Sequence, residues 1–129
     1  IKGGGAALTQ EKIVASAAET FYCLVDESKC VETLGAFPLP IEYIELAEAP
    51  LRRALTALGA EATRRAGVIT DNGHPILDVR GLDLRDPAAQ EQALNQWPGV
   101  VCNGLFALRR ADQLFVASPR GVTVKTAPR

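Results

Sequence analysis

The chain has 129 residues, 47% of them hydrophobic and 22% charged, with 14 Lys and Arg against 15 Asp and Glu. That is the make-up of one globular domain, or of two small ones packed together, and it excludes a disordered chain and a general polyanion binder. No apolar run approaches the roughly 18 residues of a membrane helix, and aromatics at 5% argue against a base-stacking surface, so neither membrane nor nucleic acid is an expected partner.

The opening, Ile1-Lys2-Gly3-Gly4-Gly5, has no Met and no signal-like apolar core, so these residues are expected to belong to a longer polypeptide. After the glycines, Ala6, Ala7, Leu8, Ile13, Val14, Ala17 and Ala18 recur at helical spacing and predict a helix over 6–19. Phe21–Val25 is five apolar residues without alternation, the pattern of a parallel strand buried on both faces. Asp26-Glu27-Ser28-Lys29 is a polar turn after it. Gly35–Pro40 is punctuated by proline and reads as a domain boundary.

Beyond that boundary Ile41–Leu46 alternates as a half-buried strand. Pro50 opens a helix carrying Leu51, Ala54, Leu55 and Leu58, which Gly59 caps. Residues 60–65 read as a polar strand, Thr70–Gly73 as a hairpin turn and Ile76–Val79 as the returning strand. Asp86-Pro87 starts a helix to about Gln96 with Ala93 and Leu94 inward, and Val100–Phe106 is a strand. The order β-α-β-β-α-β is that of a ferredoxin-like α+β unit. Gln113–Ser118 and Val122–Thr126 are two further strands that fit back onto the first region's sheet.

The three cysteines, Cys23, Cys30 and Cys102, are odd in number and lack C-x-x-C spacing, so they read as reduced thiols in a cytoplasmic setting. The lone histidine, His74, sits in a turn and has no clustered cysteines with which to hold a metal. The pairs Arg52-Arg53, Arg64-Arg65 and Arg109-Arg110 read as solvated faces. Asp78, Asp83 and Asp86 lack the alternation of a calcium loop.

Three features could carry chemistry. Consecutive glycines before a helix let backbone N–H groups approach an anion, and Lys2 adds a full charge; a flexible turn would look the same. Glu11 shares a stripe with Ala7, Val14 and Ala18, where desolvation would suit a carboxylate to general acid–base work; by spacing alone it reads as an ordinary helix glutamate paired with Lys12 or solvent. Lys29 follows the carboxyl end of the buried strand, where open α/β sheets bind ligands; by spacing alone it is a solvated turn residue.

Read in order, several stretches resemble ribose-5-phosphate isomerase of the A type. They are Lys-Gly-Gly-Gly-Ala-Ala-Leu-Thr-x-Glu-Lys at 2–12, Asp-x-Ser-Lys at 26–29, Leu-Gly-x-Phe-Pro-Leu-Pro at 34–40, Thr-Asp-Asn-Gly at 70–73 with Ile-Leu-Asp at 76–78, and Pro-Gly-Val-Val-x-x-Gly-Leu-Phe at 98–106. The resemblance implies a cofactor-free aldose–ketose isomerase of the pentose phosphate pathway, working through an enediolate on a sugar phosphate as a homodimer. It implies Glu11 as general base, Lys2, Gly3, Gly4 and Gly5 lining the substrate site, and Lys29 as a substrate-binding lysine.

The expected fold is α/β. Residues 1–38 and 113–129 form the remnant of a Rossmann-like parallel-sheet domain, and 39–112 form an inserted ferredoxin-like α+β domain. The family's phosphate loop and its Asp-Gly-Ala-Asp-Glu stretch are not in this sequence, so the 129 residues alone are expected to turn over slowly or not at all. Arg120-Gly121-Val122 stands where the family usually has Asp-Gly-Val, and Ala127-Pro128-Arg129 matches nothing in it. The alternative reading is a small-molecule-sensing or interaction module built on the ferredoxin-like unit.

Overall fold

A computed structural model describes residues 1–128. Arg129, which the sequence reading assigns to the first unit, lies outside the described residues. The structure is a mixed α/β fold with two sheets. One holds β1 (Tyr22–Asp26), β6 (Gln113–Ser118) and β7 (Gly121–Thr126) in the order β1-β6-β7, with β1 and β6 parallel. The other holds β2 (Leu39–Tyr43), β3 (Glu61–Arg64), β4 (Ile76–Arg80) and β5 (Val100–Asn103) in the order β3-β4-β2-β5, antiparallel throughout. The helices are α1 (Leu8–Ala17), α2 (Glu48–Ala57) and α3 (Pro87–Asn95).

Local chemistry explains the helix ends. The Asp86 carboxylate accepts the N–H of Ala89 at 3.1 Å, and Pro87 starts α3 with the fixed φ that a first helical turn wants. Helix α2 closes in a Schellman turn: Ala60 N–H donates to the Leu55 carbonyl, Gly59 N–H donates to that of Thr56, and Gly59 takes φ +78°. Helix α1 has no side-chain N-cap, and at its other end Arg109 donates to the carbonyls of Ala15 and Ala18. A cation there satisfies orphan carbonyls and suits the negative end of the helix dipole.

The four-stranded sheet is covered on both faces. Leu39, Ile41 and Tyr43 of β2 and Leu77 and Val79 of β4 pack with Leu51, Leu55 and Leu94 of α2 and α3. On the opposite face Ile76 and Cys102 meet Leu8 of α1. Glu42 reaches His74 and Asn72 there, and Asn72 exchanges hydrogen bonds with Gln10 of α1. The register of β2 on β5 slips between Glu42 and Tyr43, which is how Val100 joins the leucine core while Cys102 faces α1.

Several expectations need correcting. Strand β2 starts at Leu39, not Ile41, and is buried throughout instead of half-buried, because α1 covers the face that a lone α+β unit would leave wet. Strand β1 is not buried on both faces: the alternating Tyr22 and Leu24 are exposed, because no element among the described residues covers that face. In α3 the inward partner of Leu94 is Glu91, three residues before it, and Ala93 is exposed. Strand β5 ends at Asn103, where the Asn103 side chain accepts Leu105 N–H and turns the chain out of the sheet.

Candidate active site

The glycine loop is held from three sides. Lys2 N–H donates to the Gly104 carbonyl at 2.8 Å, and Gly104 N–H donates to that of Pro40 at 2.9 Å. A Cβ on Gly104 would come within 2.3 Å of the Lys2 carbonyl oxygen, so only glycine fits there. Gly3 takes φ +106°, and a Cβ on it would crowd Leu8 and Pro40. Ala6 closes the turn, its N–H donating to the Gly3 carbonyl at 3.0 Å with φ at +65°. A left-handed alanine costs about 1 kcal/mol, and such strain concentrates at ligand-binding turns.

Leu8 anchors the first turn of α1 in the sheet's second face, which puts Glu11 on the side of Lys2. Their charges meet at 3.4 Å. Both remain accessible, with side chains 39% and 33% exposed. Glu11 is therefore paired with Lys2, not with Lys12, and the small stripe around it is the wall of a cavity instead of a packed interface. That cavity, of about 500 Å³, is lined by Lys2, Gln10, Glu11, Val14 and Ala18 of the loop and helix and by Tyr22 of β1, among others. Lys2 also lies 5.9 Å from the centre of the Phe106 ring.

Lys12 faces the other way. Its ammonium donates to the carbonyls of Asn103 (2.7 Å) and Leu105 (2.6 Å) and pairs with buried Glu91 at 3.2 Å. Glu91 in turn accepts the N–H groups of Ala107 and Leu108. This clip ties α1, α3 and the segment after Asn103 into one body and fixes the helix that carries Glu11.

Lys29 sits on a 3₁₀ turn beyond the end of β1. Ser28 hydrogen bonds hold the Asp26 carboxyl below its ordinary value, with Lys29 adding to the effect. A second cavity, of about 310 Å³, opens there and is lined by Glu27, Cys30, Ser118 and Arg120 among others, but not by Asp26, Ser28 or Lys29. The structure thus brings Lys2 and Glu11 together on the wall of the larger cavity, which Gly3, Gly4 and Gly5 adjoin through Lys2 but do not line, and leaves Lys29 beyond the end of β1.

The sequence reading missed the residues that hold the loop. Arg65 was grouped with Arg64 as a solvated pair, yet adjacent strand residues face opposite ways. Arg64 pairs outward with Glu45 and Glu48, whereas Arg65 turns in against Asp78. Asp78, Asp83 and Asp86 each have separate work, with Arg65, Arg85 and the start of α3 respectively.

Comparison with known proteins settles what this arrangement belongs to. The family model for ribose 5-phosphate isomerase A (phosphoriboisomerase A) matches residues 1–121. The chain belongs to the ribose 5-phosphate isomerase A family. A ribose-5-phosphate isomerase A of Methylibium petroleiphilum is 56% identical over 122 residues, covering 95% of this chain and 56% of that protein. The solved ribose 5-phosphate isomerase A of Neisseria gonorrhoeae superposes with a TM-score of 0.95 at 44% identity, over 100% of this chain and 58% of that one. A solved D-ribose-5-phosphate isomerase in complex with phospho-erythronic acid gives a TM-score of 0.94 at 42% identity, over 98% of this chain and 58% of that one. The chain therefore spans little more than half the length of these ribose 5-phosphate isomerase A relatives. Because the family match runs through 39–112 without a break, a separate sensing module there is not favoured. Among the described residues no helix is long and apolar enough to cross a membrane.

Proposed function

We propose that this chain carries the base and glycine loop of an aldose–ketose isomerase interconverting ribose 5-phosphate and ribulose 5-phosphate. The observation that carries the reading is the Lys2–Glu11 pair, 3.4 Å apart, on the wall of an open cavity beside a strained glycine turn. A Glu11 carboxylate oxygen takes the proton from C2 of the open-chain aldose. The electron pair left behind forms an enediolate, and the developing charge on O1 is offset by the Lys2 ammonium and by loop N–H donors. Protonated Glu11 returns the proton to C1 while the O2 hydroxyl proton passes to O1, leaving the ketose. No electrons are gained or lost overall, so the chemistry calls for no redox cofactor.

The amides of Gly3, Gly4 and Gly5 are the proposed anion donors, and Lys29 is a proposed second cation for sugar oxygens or phosphate. The strand order β3-β4-β2-β5 supports reading 39–112 as a ferredoxin-like α+β unit. The parallel β1–β6 pair supports reading 1–38 and 113–129 as part of a Rossmann-like α/β domain. The same reading makes the protein a cytoplasmic homodimer of the non-oxidative pentose phosphate pathway.

The test is Glu11→Gln, which keeps shape and removes the base. Because these 129 residues alone are expected to turn over slowly or not at all, turnover of ribose 5-phosphate is read in the full-length polypeptide. There it is expected to fall by roughly 10²–10⁴-fold, while phospho-erythronic acid, measured by calorimetry, still binds. Undiminished turnover would overturn the assignment of the base. Failure of the unsubstituted chain to bind phospho-erythronic acid would overturn the ligand class.

A further inference from the structure

We propose that Arg65, held by Asp78, is a positioning residue that aims the amides of the glycine loop at the ligand. Its Nη1 donates to the carbonyls of both Gly3 (3.0 Å) and Gly4 (3.2 Å). Its Nε and Nη2 form a two-point bridge to Asp78 at 2.9 and 2.7 Å. A guanidinium has five N–H donors, and these contacts use four of them on the protein itself. Arg65 therefore acts through the loop, not on a ligand directly.

The consequence for the loop follows from the peptide unit. All its bonds are trans, so each carbonyl points opposite to the N–H of the next residue. Pinning the Gly3 and Gly4 carbonyls on one nitrogen turns the N–H groups of Gly4 and Gly5 together to the opposite side. Two successive amides facing one way form a concavity for an anion. Both glycines are exposed, and among the described residues no acceptor takes either N–H. The brace itself is sheltered, with the Arg65 and Asp78 side chains only 17% and 22% exposed. Arginine is the residue this geometry needs: a lysine ammonium lacks the planar fork that can serve a carboxylate and two carbonyls at once.

The inference rests on the sugar-phosphate reading of the site, and the test separates the two. Backbone ¹⁵N relaxation is measured on this chain and on Arg65→Lys and Asp78→Asn, with phospho-erythronic acid titrated into each. In the unsubstituted chain the Gly4 and Gly5 amides are expected near S² of about 0.85. Arg65→Lys is expected to lower them below about 0.6 while amides of β2 stay rigid. Affinity for the ligand should fall by about 10- to 100-fold. Ethylguanidinium added to Arg65→Ala should restore part of both, which a general loss of stability would not allow. Unchanged glycine amides in Arg65→Lys, or loosened amides with unchanged affinity, would overturn the proposal. If the unsubstituted chain binds no phospho-erythronic acid, the ligand reading falls and takes the ligand half of the proposal with it. The order parameters then still decide whether Arg65 fixes the amides.

Discussion

Two exposed residues show how far a charge pair two positions apart can act in this molecule. Arg85 donates to both oxygens of Asp83, and its own backbone N–H adds a third bond, which together hold the Asp83 carboxyl down at about 2. A depressed carboxyl contributes stability above its unfolded value of 3.8 and loses it as pH falls from there towards 2. The pair is solvent-exposed, so the effect on folding is small. The expected result is local: in Arg85→Ala the Asp83 carboxyl, followed by ¹³C NMR, titrates well above 2, with the remaining backbone N–H still holding it below its ordinary value. A midpoint still near 2 would show that the guanidinium is not the cause. At this scale the sequence showed only part of the site. Lys2, Glu11 and the glycines stood out through the resemblance carried by residues 2–12; spacing alone left Glu11 an ordinary helix glutamate. Arg65, Asp78 and Gly104 did not, because Arg65 and Gly104 reach the loop from just past the ends of distant strands and Asp78 acts through Arg65, and no local pattern encodes a contact 62 residues away.

Among the elements, α1 depends on contacts outside itself. It lacks a side-chain N-cap, leaves Ile13 and Val14 exposed, and is held by Leu8, by Arg109 at its end and by the Lys12–Glu91 clip. Removing Glu91 strands the Lys12 ammonium among carbonyls and leaves the N–H groups of Ala107 and Leu108 without their acceptor. Glu91→Ala is therefore expected to cost about 3–5 kcal/mol, and Glu91→Gln, which keeps an acceptor, markedly less. Urea unfolding midpoints decide this, and equal losses in the two variants would mean that the charge, which both remove, and not packing or an acceptor, is what Glu91 supplies. Helices α2 and α3 were legible because their caps and stops, Gly59 and Asp86-Pro87, are written in adjacent residues. Strand β2 was misread because Pro40 reads locally as a breaker and Glu42 as a solvent-facing residue. Both are buried by α1, which lies some thirty residues earlier.

For the molecule as a whole, the three-stranded sheet is the exposed part. Leu24 is 75% exposed, and Tyr22, Val122 and Val124 are exposed with it. Strand β1 has a free edge. An apolar, unpaired edge strand invites association. The chain is expected to form higher-mass species as its concentration rises, seen by analytical ultracentrifugation, and Leu24→Lys is expected to suppress them. Association unchanged in Leu24→Lys would place the sticky surface elsewhere.

The four-stranded sheet with protein on both faces carries a different consequence, for how the chain folds. Residues 39–105 hold all of its strands, yet Ile76 packs on Leu8, Pro40 lies against Gly3, the Arg65–Asp78 pair holds the Gly3 and Gly4 carbonyls, and Asn72, beside Glu42, bonds Gln10, all from the segment 2–12. The sheet cannot mature first and receive α1 later as an ornament. Formation of the core and assembly of the glycine loop are one cooperative event. Any change that loosens the loop's seat on the sheet is therefore paid in global stability as well as in chemistry.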